Sequence, residues 1–313
     1  MNASNATKTS ASYLVIHETS YHYDSPVSLS RQQLHLTPRD CAWQRCLAHE
    51  IVIQPEPTLT LPRFDHFGNP VRQFAIEAPH SELIVRAESR IEVLPHLPVL
   101  DASPPWDEVQ RALAYKTMPV QLEANSLLFE SPYVRVKREF AAYARPCFTP
   151  QRPLLEAAQA LMNRIHREFE FDPKATTVST PVLKVLEDRR GVCQDFSHLM
   201  LSCLRSLGLA ARYVSGYLLT QPPPDKPRLI GADASHAWVS LYCPDKDGGL
   251  WVDFDPTNNL IPDTQHITLA WGRDFGDVSP LRGVILGGGD EPELDVAVTV
   301  MPWDNEALAS SET

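Results

Sequence analysis

Apolar and polar residues alternate through much of the first hundred positions. Tyr13–His17, Glu50–Gln54, Val71–Ile76 and Leu83–Val93 each place apolar side chains at about every second residue. A period of two belongs to a strand with one buried face. Turn chemistry separates the runs, at Asp24-Ser25-Pro26, Pro55-Glu56-Pro57 and Phe67-Gly68-Asn69-Pro70. Short strands with regular turns predict a β-sandwich-like domain over residues 12–100, after a disordered tail of residues 1–11.

Beyond a stiff connection carrying Pro95, Pro98, Pro104 and Pro105, the period lengthens. Trp106–Thr117 predicts a helix with Ser103 as its cap, and Tyr133–Tyr143 predicts another. In Pro153–Glu168, the residues Leu154, Leu155, Ala158, Leu161, Met162 and Ile165 follow a 3.6-residue period with Pro near the first turn. Thr180-Pro181 opens a short helix to Asp188, which Arg189-Arg190-Gly191-Val192 breaks. The next helix runs from Cys193 to Leu207, with Gly208 suited to the position just past its end. Strands are expected at Ala211–Leu219, His236–Cys243 and Leu250–Phe254, the last two joined by a tight turn at Asp245–Gly249. Gln221–Pro227 contains four prolines and reads as a surface loop. Gly287-Gly288-Gly289 precedes a strand-like Leu294–Val300, and no internal repeat is visible. The pattern predicts an α+β chain: the β domain, a core over 101–275 with its preceding helices, and a tail, 276–313, packing back on the β domain.

Composition narrows the partners. The 313 residues include 28 Lys+Arg and 39 Asp+Glu, a formal net charge of −11, and residues 201–313 hold 7 of the basic and 16 of the acidic side chains. That balance disfavours nucleic acid and anionic membrane surfaces, both of which demand clustered Lys and Arg. No apolar run approaches membrane-spanning length, and MNASNATKTSASYLV has no apolar segment of the secretory kind. A cytoplasmic location is therefore expected, with Cys41, Cys46, Cys147, Cys193, Cys203 and Cys243 as reduced thiols. There is no CxxC, and neither a metal nor a cofactor is expected.

Three residues carry candidate chemistry. Cys193 follows Gly191-Val192 and opens a helix, where free backbone N–H groups and the positive dipole end favour the nucleophilic thiolate. His236 starts one strand and Asp255 ends its hairpin partner, so the two lie side by side at adjacent strand ends. An Asp there can orient an imidazole and stabilise imidazolium, and a helix packed end-on would bring the thiol to it. Each residue also has an ordinary explanation: a buried structural cysteine, a satisfied histidine, a turn-forming Asp before Pro256-Thr257. Asp253 shares the strand face of Asp255 and is the second candidate for the orienting role. His198 lies about 140° around the helix from Cys193 and Asp195 about 200°, so neither faces the thiol.

The stretches Arg190-Gly191-Val192-Cys193-Gln194-Asp195-Phe196, Ser235-His236-Ala237-Trp238-Val239 and Asp253-Phe254-Asp255-Pro256-Thr257-Asn258 together resemble the core of the transglutaminase-like superfamily, a papain-like cysteine fold. Order and spacing agree, with Ser197 where the family more usually has Ala. His17, Tyr21, Tyr23, Leu36-Thr37-Pro38-Arg39, Asp65–Asn69 and Ala78-Pro79-His80 resemble the β domain preceding this core in bacterial members, and Gly272–Phe275 and Leu286–Gly288 resemble their tail. The resemblance implies a Cys193–His236–Asp255 triad, with Asp253, Gln194 and Trp238 as accessory candidates. It implies attack on a peptide or protein amide, a thioester intermediate, and an oxyanion contact from the Cys193 N–H. Water as second acceptor gives a cysteine peptidase or amidase, the favoured reading. An amine acceptor gives a transglutaminase, and a site without turnover gives a peptide-binding or assembly module.

Overall fold

The computed structural model describes residues 10–100, 102–115, 122–220, 235–245, 247–289 and 292–303. The loop Gln221–Pro227 and all but two residues of the predicted N-terminal tail lie outside the described residues. Five strands come first: β1 (Ala11–Leu34), β2 (Gln44–Gln54), β3 (Leu59–Phe64), β4 (Pro70–Ile76) and β5 (His80–Val93). The middle of the chain holds α1 (Trp106–Tyr115), α2 (Leu122–Ser126), α3 (Arg138–Ala144), α4 (Leu154–Glu168), β6 (Glu170–Phe171), α5 (Val182–Asp188), β7 (Arg190–Gly191) and α6 (Cys193–Ser206). Then follow β8 (Ala211–Leu218), β9 (Ser235–Cys243), β10 (Leu250–Phe254), β11 (His266–Gly272), α7 (Phe275–Val278), β12 (Leu281–Gly287) and β13 (Glu293–Pro302).

The expected alternation is clearest in β5, where Leu83, Val85, Ala87, Ser89, Ile91 and Val93 are buried and the residues between them are not. The first five strands form one curled antiparallel sheet in the order β2-β5-β1-β4-β3, which β12 and β13 join by pairing with β1. Asp24-Ser25-Pro26 does not end a strand, as its turn chemistry suggested. It bends β1, whose register on β5 breaks between His22 and Val27. The first half of β1 then pairs with β5 and β13, and the second half with β4 and β12. The layer facing this sheet comes from the core. Tyr217, Ile267 and Leu269 pack into the cluster of Val15, Leu83, Val85, Ile91 and Val298. Each such side chain contributes about 1.5–3 kcal/mol by leaving water.

The core sheet is antiparallel in the order β10-β9-β8-β11. Its other face receives α6 through Phe196, Leu199, Met200 and Cys203, and α4 through the periodic stripe Leu154–Ile165. Gly208, at φ +73, ends α6 as its position predicted. Two helix expectations shift. Residues 133–137 do not join α3, because their N–H groups are taken elsewhere: Tyr133 by Asp274, Arg135 by Ser202, Val136 by Glu130 and Lys137 by Ser206. Ser103 caps α4 rather than α1, its hydroxyl accepting from the Leu155 N–H at 3.0 Å.

β11 is an edge strand, and an edge leaves backbone groups unpaired. Two buried amides of the β domain close it. Gln44 Oε1 accepts from Thr268 N at 2.7 Å while its Nε2 donates to Thr268 O at 2.7 Å. Asn69 does the same for Trp271, at 3.0 and 2.8 Å. A His17–Tyr217 hydrogen bond of 3.0 Å also crosses between the layers. The two parts of the chain are thus joined through β8 and through β11, the strand that carries His266.

Candidate active site

Gly191 and Asp195 shape the entry to α6. One Asp195 carboxylate oxygen accepts from the Val192 N–H at 2.9 Å and the Thr176 hydroxyl at 2.6 Å, capping the first turn. A Cβ at position 191 would lie 2.6 Å from that oxygen, which explains the glycine. Asp195 is therefore a structural cap, turned away from the thiol. Cys193 is the first residue of the helix and is half-buried; Gln194, also half-buried, follows it. His198 is a core group: it stacks on Tyr133 at 5.3 Å and its Nε2 accepts from the Phe275 N–H at 3.2 Å.

The hairpin supplies the other groups. Asp245 Oδ1 accepts from the N–H groups of Asp247 and Gly249, fixing the turn that sets the register Phe254↔Val239. That register places Asp255 one step further along, on the face that carries His236 and Trp238. His236 Nε2 donates to Asp255 Oδ2 at 2.7 Å. Its Nδ1 is then the ring nitrogen left for its hydrogen bond with Cys193. Asp255 also makes the turn its sequence context suggested, since Oδ1 accepts from the Thr257 and Asn258 N–H groups at 3.0 and 3.2 Å. One oxygen builds the turn and the other meets the imidazole.

Asp253 is turned to a different task. Its Oδ2 accepts from the Trp238 indole at 2.9 Å, and no contact joins it to His236 among the described residues. Trp238 lies fully buried between two imidazoles, with centroids 6.0 Å from His236 and 5.2 Å from His266. Gly216 makes room for it, because a Cβ there would come within 2.5 Å of the indole and collide with the Ile267 carbonyl.

Two neighbours were not singled out in the sequence. Asn258 Nδ2 donates to Asp255 Oδ2 at 2.8 Å. His266 Nε2 donates to the same oxygen at 3.1 Å. Asn258 falls inside a motif already quoted. His266 sits on a strand whose apolar run, Ile267–Trp271, was the only available signal.

The electrostatics follow from burial and these bonds. Burial alone would lower the His236 pKa, but the hydrogen bonds to Asp255 and Cys193 carry it up from 6.5 to about 10. Burial would raise Asp255, yet the bonds from His236 and His266 hold it well below the usual carboxylate range. The other five thiols are all pushed up by burial, Cys41, Cys46 and Cys243 to about 11. The donor atoms of His236, Asp255 and His266 lie within 4.8 Å of one another, close enough to hold a metal ion. Both imidazoles already direct Nε2–H at one carboxylate oxygen, so hydrogen bonding accounts for the cluster.

Residues 13–92 match the family model of a bacterial transglutaminase-like N-terminal region, and residues 141–256 match that of the transglutaminase-like superfamily core. An uncharacterised protein of Mycobacterium tuberculosis is 40% identical over 297 residues, covering 95% of this chain and 94% of its own length. One from Mycobacterium leprae is 33% identical over 289 residues, covering 91% and 97%. A candidate cysteine protease from Cytophaga hutchinsonii superposes with a TM-score of 0.72 at 18% identity, covering 95% of this chain and 92% of that one; this likeness shows the fold. No helix among the described residues is long and apolar enough to cross a membrane.

Proposed function

The chain belongs to the transglutaminase-like superfamily, and on that premise we propose that it is a cysteine amide hydrolase acting on peptides or proteins through Cys193, His236 and Asp255. The observation that carries this reading is the relay itself: a half-buried thiol opening α6, bonded to an imidazole whose far nitrogen is 2.7 Å from a fully buried carboxylate. The Cys193 sulfur attacks the amide carbon while His236 holds the proton. The Cys193 N–H, with no helical partner, faces the developing oxyanion. The C–N bond breaks as His236 Nδ1–H protonates the leaving amine, and a thioester remains. His236 then takes a proton from water, which attacks the thioester and frees the acid and the thiol.

Asp255 keeps Nε2 protonated and Nδ1 aimed at the thiol, and it stabilises the imidazolium. Asp253 and Trp238 hold the sheet face behind His236. The test is a peptide library incubated with an amine donor, read by mass spectrometry. Cleavage or deamidation that disappears in Cys193→Ala supports hydrolysis. Amine incorporation that disappears in the same variant assigns acyl transfer instead, and products unchanged in that variant would sink the nucleophile assignment.

A further inference from the structure

Asp255 Oδ2 receives two imidazoles and the Asn258 amide, and the reaction uses one of the imidazoles. His266 is 3% exposed and donates from Nε2 at 3.1 Å to the oxygen that His236 meets at 2.7 Å. It reaches that oxygen from β11, two strands away from β9 across β8. Its ring is set by the edge of Trp238, with planes 80° apart. The strand beneath it is fixed by Gln44 and Asn69. A merely packed histidine would not need its donor on the one carboxylate of the relay.

We propose that His266 is a positioning residue of this site, holding Asp255 Oδ2 towards His236 and sharing the charge of that oxygen. This rests on the triad reading above. A carboxylate that spends part of its accepting capacity on a second N–H pulls less strongly on the first. His236 is thereby oriented while its proton stays transferable to a leaving group. Removing the His266 donor leaves the charge of that oxygen to His236 and the Asn258 amide, and makes the imidazolium harder to deprotonate.

The readout needs no substrate. His236 is followed by ring-carbon NMR against pH in the full chain, for the wild type, His266→Phe and His266→Gln. His266→Phe removes the donor, and its His236 midpoint should rise by about one pH unit, a tenfold change in acidity. His266→Gln restores an N–H near the Nε2 position and should return the midpoint to within a few tenths of the wild type. Should His266→Phe fail to fold, His266→Asn serves, since its amide is too short to reach Asp255. A midpoint unchanged or lowered in the donor-deleted variant overturns the proposal, and so does a glutamine variant that shifts as far as phenylalanine. Cys193→Ala with retained amide turnover would fail the triad reading alone, because the NMR midpoints report on the Asp255 contact independently of turnover.

Discussion

Replacing Asp255 with Asn removes the carboxylate that outweighs burial at His236. The imidazole is 9% exposed, and its bonds to Asp255 and Cys193 lift it from 6.5 to about 10 against the pull of desolvation. That displacement corresponds to roughly 5 kcal/mol in favour of imidazolium, at about 1.4 kcal/mol per unit. Of the groups that raise it against burial, Asp255 contributes most. With an amide at 255 the imidazole falls well below about 10, since burial is then opposed by Cys193 alone. At about pH 7.5 the imidazolium fraction then falls from nearly one. Amide turnover at that pH should drop by on the order of 10²–10⁴. The assay is a pH profile of turnover from about pH 5 to 9, run beside Asp253→Asn as control. Asp253 holds the Trp238 indole at 2.9 Å, so its amide variant should cost about 1–3 kcal/mol of stability and keep the wild-type profile. A normal profile in Asp255→Asn, with the loss confined to Asp253→Asn, refutes the reasoning.

Other expectations rest on separate features. Iodoacetamide near pH 7 should modify Cys193 at least about 100-fold faster than Cys41, Cys46 or Cys243, whose thiols at about 11 leave roughly one molecule in 10⁴ as thiolate; equal rates in a peptide-mapping experiment would count against Cys193 as the nucleophile. Acid should unfold the protein early. Burial lowers His17 to about 4, burial and Arg72 lower His49 to about 4, and burial and Arg205 lower His198 to about 3. Unfolded histidines titrate near 6.5, so unfolding takes up about three protons near pH 5, and stability falls by up to about 4 kcal/mol per pH unit below about pH 6.5. His236 has the opposite sign. Its contribution is complete below about 6.5 and is lost as pH rises through about 10, and that of the lowered Asp255 is lost only as pH falls below about 5, so urea titrations between about pH 5 and 7 report mainly on the first group. Asn69→Ala should cost about 2–4 kcal/mol, because it strands both backbone groups of Trp271, whereas an exposed substitution such as Val284→Thr should cost under about 0.5 kcal/mol in the same denaturation series.

Much of this was legible because local and tertiary demands agree. The alternation in β5 and the stripe in α4 are read directly, since one face of each meets a core and the other meets water. The Cys193, His236 and Asp255 positions follow from a helix start, a strand start and a hairpin turn, all of which are local signals. What escaped the sequence depends on distant contacts. β11 is buried on both faces, so its residues show no alternation and carry no local strand signal. With it went His266, whose partner is fixed by a sheet order that no local pattern reveals. Residues 133–137 have helical periodicity, but their backbone donors meet Asp274, Ser202 and Ser206. The choice between Asp253 and Asp255 was likewise a matter of which oxygen met which ring, since both carboxylates share one strand face.

The β domain gains a role from this arrangement. Family membership places it before the core but does not say what it does there. Its amides at Gln44 and Asn69 occupy the free edge of β11, and its His17 bonds Tyr217 on β8. β8 holds Gly216, whose missing side chain admits Trp238, and β11 holds His266. Both strands therefore transmit the position of the β domain to the back of the His236–Asp255 pair. An edge strand without such partners would fray, and groups placed on it would lose the sub-ångström placement that proton transfer requires. Separating the two parts of the chain should therefore disturb His236 before it disturbs Cys193, whose helix is anchored in the other cluster by Phe196, Leu199 and Cys203.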